Sequence, residues 1–423
     1  MSTGLILTMG LAPDPLIFSI KEQQADYVVF IGTNESLKAS VDETVLQAQL
    51  RPSQYDKLAI KDSPDEIGTL CELFQSAKNW LEEQGADRII ADPTGGRKWM
   101  SAGAVMVASF LGIPMMYVDS RFDQKLGKVD PESMKIVQLG NAYDQTGFII
   151  AAKGIDAYNN FHFEQASHYF EQITPTNAHK QSLFNGLANL CTALARWDRF
   201  EHYGETVSAG LFAAIQQIEQ ALRSGAGNAE LANFSDQVKQ FAAKIREMEG
   251  TQALSIDFVT DIFLNAGRRL QLNRFDDAIA RHYRTLEAVS QYCLHEAGIL
   301  ADRPDYSRLT DKQKTLFQSE CHNQILPEKI DLKLGYWLLR SLDHKVTPIV
   351  FKEKTPSYMG FSFEGILSDR NHSILAHGFK PIGKKRADNF HSQLEELLNN
   401  VFPEVFQQAK QSLQLPRLPS LGF

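Results

Sequence analysis

The chain has 423 residues, of which 43% are hydrophobic and 22% charged, with a formal net charge of −8 at pH 7. Two or three folded domains are expected at that length and composition, and a disordered or fibrous chain is excluded. The acidic balance argues against a broad nucleic-acid-coating surface, and so against stable DNA binding, but leaves room for a small basic pocket. The apolar run at 102–113 is too short to cross a bilayer, and Met1 to Gly4 carry no basic leader, so a cytoplasmic protein without membrane association is expected. Cys71, Cys191, Cys293 and Cys321 form no CxxC pair, and no HExxH or His/Cys cluster is present. Reduced thiols and no metal site are the expectation.

The first part of the chain alternates short apolar runs with helical patterns. The runs at 5–9, 27–31, 57–60, 88–91 and 114–118 read as strands buried on both faces of a parallel sheet, and 135–139 as an edge strand. Between them, 15–24, 41–49, 65–84 and 98–111 read as helices, which implies a doubly wound, Rossmann-like α/β domain. Ligands of such sheets bind beyond the carboxyl ends of the strands. Those ends are Thr8-Met9-Gly10, Thr33-Asn34-Glu35 and Asp92-Pro93-Thr94-Gly95-Gly96-Arg97-Lys98. The last is a strand, a Gly-Gly turn and a helix start with two cations, suited to an anion. It is neither a Walker A loop nor a GxGxxG fingerprint.

From Tyr143 the pattern becomes helical. Aromatic spacing over 154–173 suggests a helix pair resembling one tetratricopeptide unit, and 183–197, 211–224 and 234–248 read as further amphipathic helices. Strong helices follow at 258–270 and 275–296. In the second, Arg281, Arg284 and Glu287 are spaced to form an ion network, or Glu287 braces a cation from another helix. Helices near 312–324, 332–341 and 390–413, the last broken at Pro403, complete an all-α part.

Within it, the stretch 368–379 reads as a helix ended by Gly378 and blocked by Pro381. Arg370 and His377 would then share one face, about 10.5 Å apart along the axis. A permanent cation beside a titratable imidazole can hold a phosphate and move a proton. The wide axial offset favours a site completed by a second copy of the chain.

Two features, in this order, resemble one family. Asp92 to Lys98, on the fourth strand of an N-terminal Rossmann-like domain, resembles the signature of CARF domains. Arg370-Asn371 followed by His377 resembles the Arg-x(four to six)-His motif of HEPN ribonucleases, and the helix with Phe275, Asp276, Asp277, Ala278, Tyr283, Arg284 and Glu287 is similar to helices of that domain. Together they resemble the CARF–HEPN ancillary ribonucleases of type III CRISPR systems.

The resemblance implies a CARF-like domain at 1–142, a helical intermediate region at 143–250 and a HEPN-like domain at 251–423. It implies a homodimer with no cofactor, activated allosterically by cyclic tetra- or hexa-adenylate. The activator would be held by Thr8, Met9, Gly10, Thr33, Asn34, Glu35, Thr94, Gly95, Gly96, Arg97 and Lys98. Arg370, Asn371 and His377 would cleave single-stranded RNA in antiviral defence, without metal, by 2′-hydroxyl attack giving a 2′,3′-cyclic phosphate, with Glu287 as a possible support. Ring cleavage of the activator in its own pocket stays open. The alternative is a non-catalytic nucleotide-sensing dimer whose degenerate HEPN domain serves as an interaction module.

Overall fold

Six short segments form one sheet: β1 (Thr3–Met9), β2 (Tyr27–Gly32), β3 (Tyr55–Ala59), β4 (Arg88–Asp92), β5 (Met115–Asp119) and β6 (Lys135–Leu139). The computed structural model describes residues 2–123, 128–141, 143, 147–173, 178–251, 254–320, 325–351, 361–374 and 378–421. The strand order is β3-β2-β1-β4-β5-β6. The first five strands are parallel, while β6 pairs antiparallel with β5, Met115 opposite Leu139 and Asp119 opposite Lys135. No crossover helix separates β5 from β6 among the described residues, and a parallel return commonly uses one.

Helices α1 (Asp14–Glu22), α2 (Asn34–Ala48), α3 (Ile67–Glu83) and α4 (Lys98–Phe110) cover the sheet. Side chains of a strand alternate between its faces. Leu5, Leu7 and Met9 of β1 therefore pack with Leu16, Ile20 and Val41, whereas Ile6 packs in the cluster of Leu70, Phe74, Leu81, Met100 and Ala104. Helix α2 starts earlier than its apolar pattern suggests, because the Thr33 side chain accepts the Ser36 N–H at 3.2 Å and caps it. The chain steps from β1 out to β3, then returns to the other side of β1 at β4. Ligand crevices open at such a reversal, beyond the carboxyl ends of β1 and β4.

The fold divides into two compact units, Met1–Phe148 and Ile149–Ile173 with Asn177–Phe423. The second is helical. Its first core is built by α5 (Phe148–Asn159), α6 (Phe163–Glu171), α7 (Ala178–Asp198), α8 (Ser208–Arg223) and α9 (Ala229–Met248), around Tyr158, Phe170, Phe184, Trp197 and Phe241. The second core belongs to α10 (Ile256–Gln271), α11 (Phe275–Glu296), α12 (Asp311–Glu320), α13 (Leu332–Ser341), α14 (Glu364–Asn371), α15 (Lys384–Val401) and α16 (Pro403–Ser412), around Phe263, Leu286, Tyr336, Phe390 and Phe406. The break expected at Pro403 separates α15 from α16. No described helix is long and apolar enough to cross a membrane.

A buried ionic cluster joins the two cores. Asp198, ending α7, accepts the Arg268 Nε–H at 2.7 Å and the Asn265 amide at 3.1 Å, and pairs with Arg269. All three charged residues are less than a tenth exposed, and the Arg268 guanidinium lies 4.0 Å from the Trp197 ring centroid. Nearby, His202 and Asp261, both fully buried, stand 3.2 Å apart, and the Tyr203 hydroxyl donates to Asp261 at 3.1 Å. The chain's last described segment is fastened to the first core as well. The Asn159 side chain donates to Leu418 O at 3.0 Å and accepts the Leu418 N–H at 2.9 Å, and the Tyr158 hydroxyl donates to Pro416 O at 3.2 Å.

Removing one partner of a buried ion set leaves an uncompensated charge, so Asp198→Ala should destabilise the helical unit by about 3–5 kcal/mol. Thermal unfolding measures this, and Asp198→Asn, which keeps hydrogen-bond acceptors, should lose less.

Candidate functional site

The crevice between β1 and β4 is walled by the turn that links β4 to α4. Asp92 closes β4 and is buried, and its carboxylate organises the turn: it accepts the Thr94 N–H at 2.8 Å, the Thr94 hydroxyl, and the Ser19 hydroxyl at 2.5 Å. Burial pushes the Asp92 carboxyl above its ordinary range, and the bonds from Ser19 and Thr94 pull it partly back. The Thr94 hydroxyl in turn accepts the Val118 N–H at 2.9 Å, and the buried Thr8 hydroxyl donates to Gly95 O at 2.6 Å. Two glycines are required by contact. A Cβ on Gly95 would stand 2.2 Å from Thr8 O, and one on Gly10 would stand 2.8 Å from the Gly96 nitrogen; Gly96 itself has φ +89°.

These contacts sort the expected ligand residues. The side chains of Thr8, Met9 and Thr94 face inward and are spent on holding the turn or filling the core, so they offer a ligand backbone only. Thr33 is likewise a helix cap, and Asn34 and Glu35, exposed in the first turn of α2, remain open. Gly10, Gly95 and Gly96 line the crevice. Among the described residues, none of the bonds holding the turn uses the N–H of Gly95 or Gly96. Arg97 is exposed and pairs with Asp62 at 2.8 Å, an acid that the sequence pattern does not single out. Lys98 is exposed, with no ion-pair partner among the described residues. The turn thus presents peptide N–H groups, a helix start and one open cation, an arrangement that binds anions.

In the helical unit, the expected helix over 368–379 is corrected. α14 ends at Asn371, and His372 already caps it, its N–H donating to Ser368 O. The chain then turns back on itself. The Ser373 N–H donates to Arg370 O at 3.1 Å, the Gly378 N–H to Ser373 O at 3.0 Å, and Ser373 bridges Lys380 in parallel. Gly378 ends no helix. Its hydrogen takes the place of a Cβ that would lie 1.8 Å from His372 O, so the return is feasible only with glycine at 378. The periodicity misled because a helical pattern cannot register a loop closed by hydrogen bonds between residues five to eight apart. With the helix goes the axial offset of Arg370 and His377, and so the geometric ground for needing a second copy. His377 lies outside the described residues.

Arg370 is half-buried, and its guanidinium carbon sits 4.5 Å from the ring centroid of Tyr283 on α11, a cation–π contact. Its Nη1 donates to the Asn371 side-chain oxygen at 3.1 Å. Burial and the carboxylates of Glu287 and Asp331 raise the Tyr283 phenol above its ordinary pKa, against the pull of Arg370. Glu287 pairs along its own helix with Arg284 at 3.0 Å. Of the expected network only this pair forms, since Arg281 turns instead to Asp277 and Asn265, and the Glu287 carboxylate also acts on Tyr283. In the sequence Tyr283 belongs to the helix that resembles those of HEPN domains, but nothing in its spacing signals a contact with Arg370. No group of three or more His, Cys, Asp or Glu that could hold a metal occurs among the described residues. A cavity of about 470 Å³ near Phe263, Gly267, His391 and Arg417 takes none of the expected site residues.

Residues 247–401 match the family model of the Csm6 HEPN domain. The resemblance to CARF–HEPN ribonucleases is borne out. In this chain the Csm6-type HEPN segment thus holds α10–α15, Tyr283 and Arg370. No curated protein sequence matches the chain. The structure of Enterococcus italicus Csm6 bound to cyclic hexa-2′-fluoro-hexa-dAMP is similar over 98% of this chain and 99% of that one, at 12% identity and a TM-score of 0.51. That likeness extends the Csm6 fold to the N-terminal sheet. Can2 from Sulfobacillus thermosulfidooxidans, in complex with cyclic tetra-adenylate, is 12% identical over 47% of this chain and 68% of its own, at a TM-score of 0.24. Protein VC1899 from Vibrio cholerae is 11% identical over 58% and 68%, at 0.25.

Gly95→Ala forces its methyl into Thr8 O and should destabilise the N-terminal unit by about 1–3 kcal/mol. Differential scanning calorimetry of the full chain reads it as a lowered transition for that unit.

Proposed function

We propose that this chain is a CRISPR-associated endoribonuclease switched on by a cyclic oligoadenylate, built from a nucleotide-sensing domain at 1–142, an intermediate region at 143–250 and a HEPN ribonuclease domain at 251–423. The observation that carries the reading is the match of 247–401 to the Csm6 HEPN domain together with Arg370 held against Tyr283 inside that segment. The N-terminal crevice supports the sensing half. A cyclic oligoadenylate presents repeated phosphates, and the Gly95-Gly96 turn with Lys98 presents peptide donors and a cation to one of them. Bound across two copies related by a two-fold axis, such a ring would couple to cleavage only by favouring one arrangement of the pair, since equal affinity for both shifts nothing.

The chemistry needs no Lewis acid. A general base takes the proton of the ribose 2′-hydroxyl, which attacks the adjacent phosphorus, and a general acid protonates the departing 5′-oxygen. An imidazole, which free in water titrates near pH 6.5, suits either transfer, and His377 supplies one. Arg370 stabilises the charge that gathers on the phosphorane oxygens, and its contacts with Tyr283 and Asn371 fix the fork before substrate arrives. The products are a 2′,3′-cyclic phosphate and a 5′-hydroxyl.

With EDTA present and cyclic tetra- and hexa-adenylate supplied separately, one ring should start cleavage of a fluorescent single-stranded RNA. Arg370→Ala and His377→Ala should each reduce it by about a hundredfold or more while leaving ring binding intact. RNA cleavage that survives His377→Ala removes the imidazole from the mechanism. Lys98→Ala should weaken ring binding by about tenfold, read by isothermal titration, and unchanged affinity would reassign the pocket.

A further inference from the structure

The return that follows α14 is anchored on both sides. The Ile374 N–H donates to Lys380 O at 3.2 Å, the Lys380 N–H to His372 O at 3.4 Å, and the Gly378 N–H to Ser373 O at 3.0 Å. Farther on, the Asp276 carboxylate at the start of α11 accepts the Ile382 N–H at 3.1 Å. Phe379 stands between these anchors and is 94% exposed, more than any other exposed large hydrophobic side chain described. The backbone beneath it is fixed by hydrogen bonds, so its ring is presented to solvent rather than left loose.

Its neighbours are cations. Lys380, Lys384, Lys385 and Arg386 follow with no acid before Asp388. Lys384 is engaged by Asp388 at 2.7 Å, whereas Lys380 and Lys385 are exposed, with no ion-pair partner among the described residues. Through the Ser373–Lys380 bridge, this aromatic and these charges adjoin the end of α14, where Arg370 sits. An exposed ring flanked by unpaired cations is the chemistry that receives an unstacked base with phosphates on either side. A paired base has its faces covered by its own neighbours and cannot use such a ring.

We propose that Phe379 is the stacking platform for one base of the RNA substrate, with Lys380 and Lys385 holding the adjoining phosphates. Stacking there selects single-stranded RNA and carries the scissile linkage to Arg370. This rests on the ribonuclease reading above. The platform recognises any base, because each has a π-face.

The test uses the full chain, cyclic tetra- and hexa-adenylate, and a set of RNA oligonucleotides each carrying one abasic nucleotide at a different position. On intact RNA, Phe379→Ala should lose roughly 5- to 150-fold in kcat/KM, and Phe379→Trp should retain activity. At one abasic position the wild type should fall to the level of Phe379→Ala, and the two changes together should do no further damage. Equal losses from Phe379→Ala on every abasic substrate overturn the proposal. So does sedimentation in which the wild type is a dimer and Phe379→Ala a monomer, since the ring would then be a contact between copies. Wild-type chain that cleaves no RNA overturns the ribonuclease reading and this proposal with it, whereas cleavage without a base-dependent role for Phe379 overturns this proposal alone.

Discussion

The helical unit depends on one buried carboxylate. Asp198 ends a helix of the first core and neutralises two arginines, Arg268 and Arg269, that enter from the first helix of the second. A lone arginine in such a setting would be expelled or would draw in water, because desolvation penalises the charge heavily. Burial does lower the pKa of Arg268, to about 10, so it stays a cation at neutral pH. The ions also fix a register that apolar packing alone would leave adjustable. A slide of one helix turn would separate Asp198 from both guanidinium groups. The HEPN segment is thereby tied to the helices that precede it, which form one compact unit with it.

A second buried carboxylate plays the corresponding part in the sheet. Asp92 draws Ser19 and Thr94 onto itself, and Thr94 reaches on to Val118, so three neighbouring elements meet at one turn. The hydroxyls that sequence reading offers to a ligand are consumed in building the surface a ligand would meet. The division of labour is clear: side chains hold the turn, while the glycine backbone and Lys98 face outward.

Much of the fold is legible in the sequence because its signals are local. Runs such as 27–31 and 88–91 are short, β-branched and bounded by turn residues, and α10 and α11 show their buried stripes over several turns. Thr33 also announces the start of α2, but its capping competes with a weak apolar pattern that begins only at Val41. The Gly-Gly turn is legible because a glycine pair between a strand and a helix is itself a local signal, although the contact that requires Gly95, with Thr8 O, joins residues far apart in the chain. What escaped depends on which residues meet, whether the partners lie far apart in sequence or within one loop. Asp62 meets Arg97, Tyr283 meets Arg370, and Ser373 meets Lys380; no periodicity encodes these meetings. The error at 368–379 has that origin. Its residues are compatible with a helix, and the loop that forms instead shows itself only in the approach of Gly378 to His372 and the bonds of Lys380 to His372 and Ile374.

The irregular segment clasped by Asn159 has a bearing on how the protein comes into being. Leu413, Leu418 and Leu421 fill a core otherwise made by residues 151–248, and Tyr158 bonds to Pro416 across 258 positions. A ribosome emits the early helices long before it reaches those leucines. Until then Tyr158 and Asn159 lack the partners they find on that segment, and the apolar residues that the three leucines cover are open to chaperones or to the equivalent segment of another nascent chain. Completion of the first core is thus postponed until the second has been synthesised, and contacts of such long sequence separation form slowly. The first core is consequently closed only after the HEPN helices have been made.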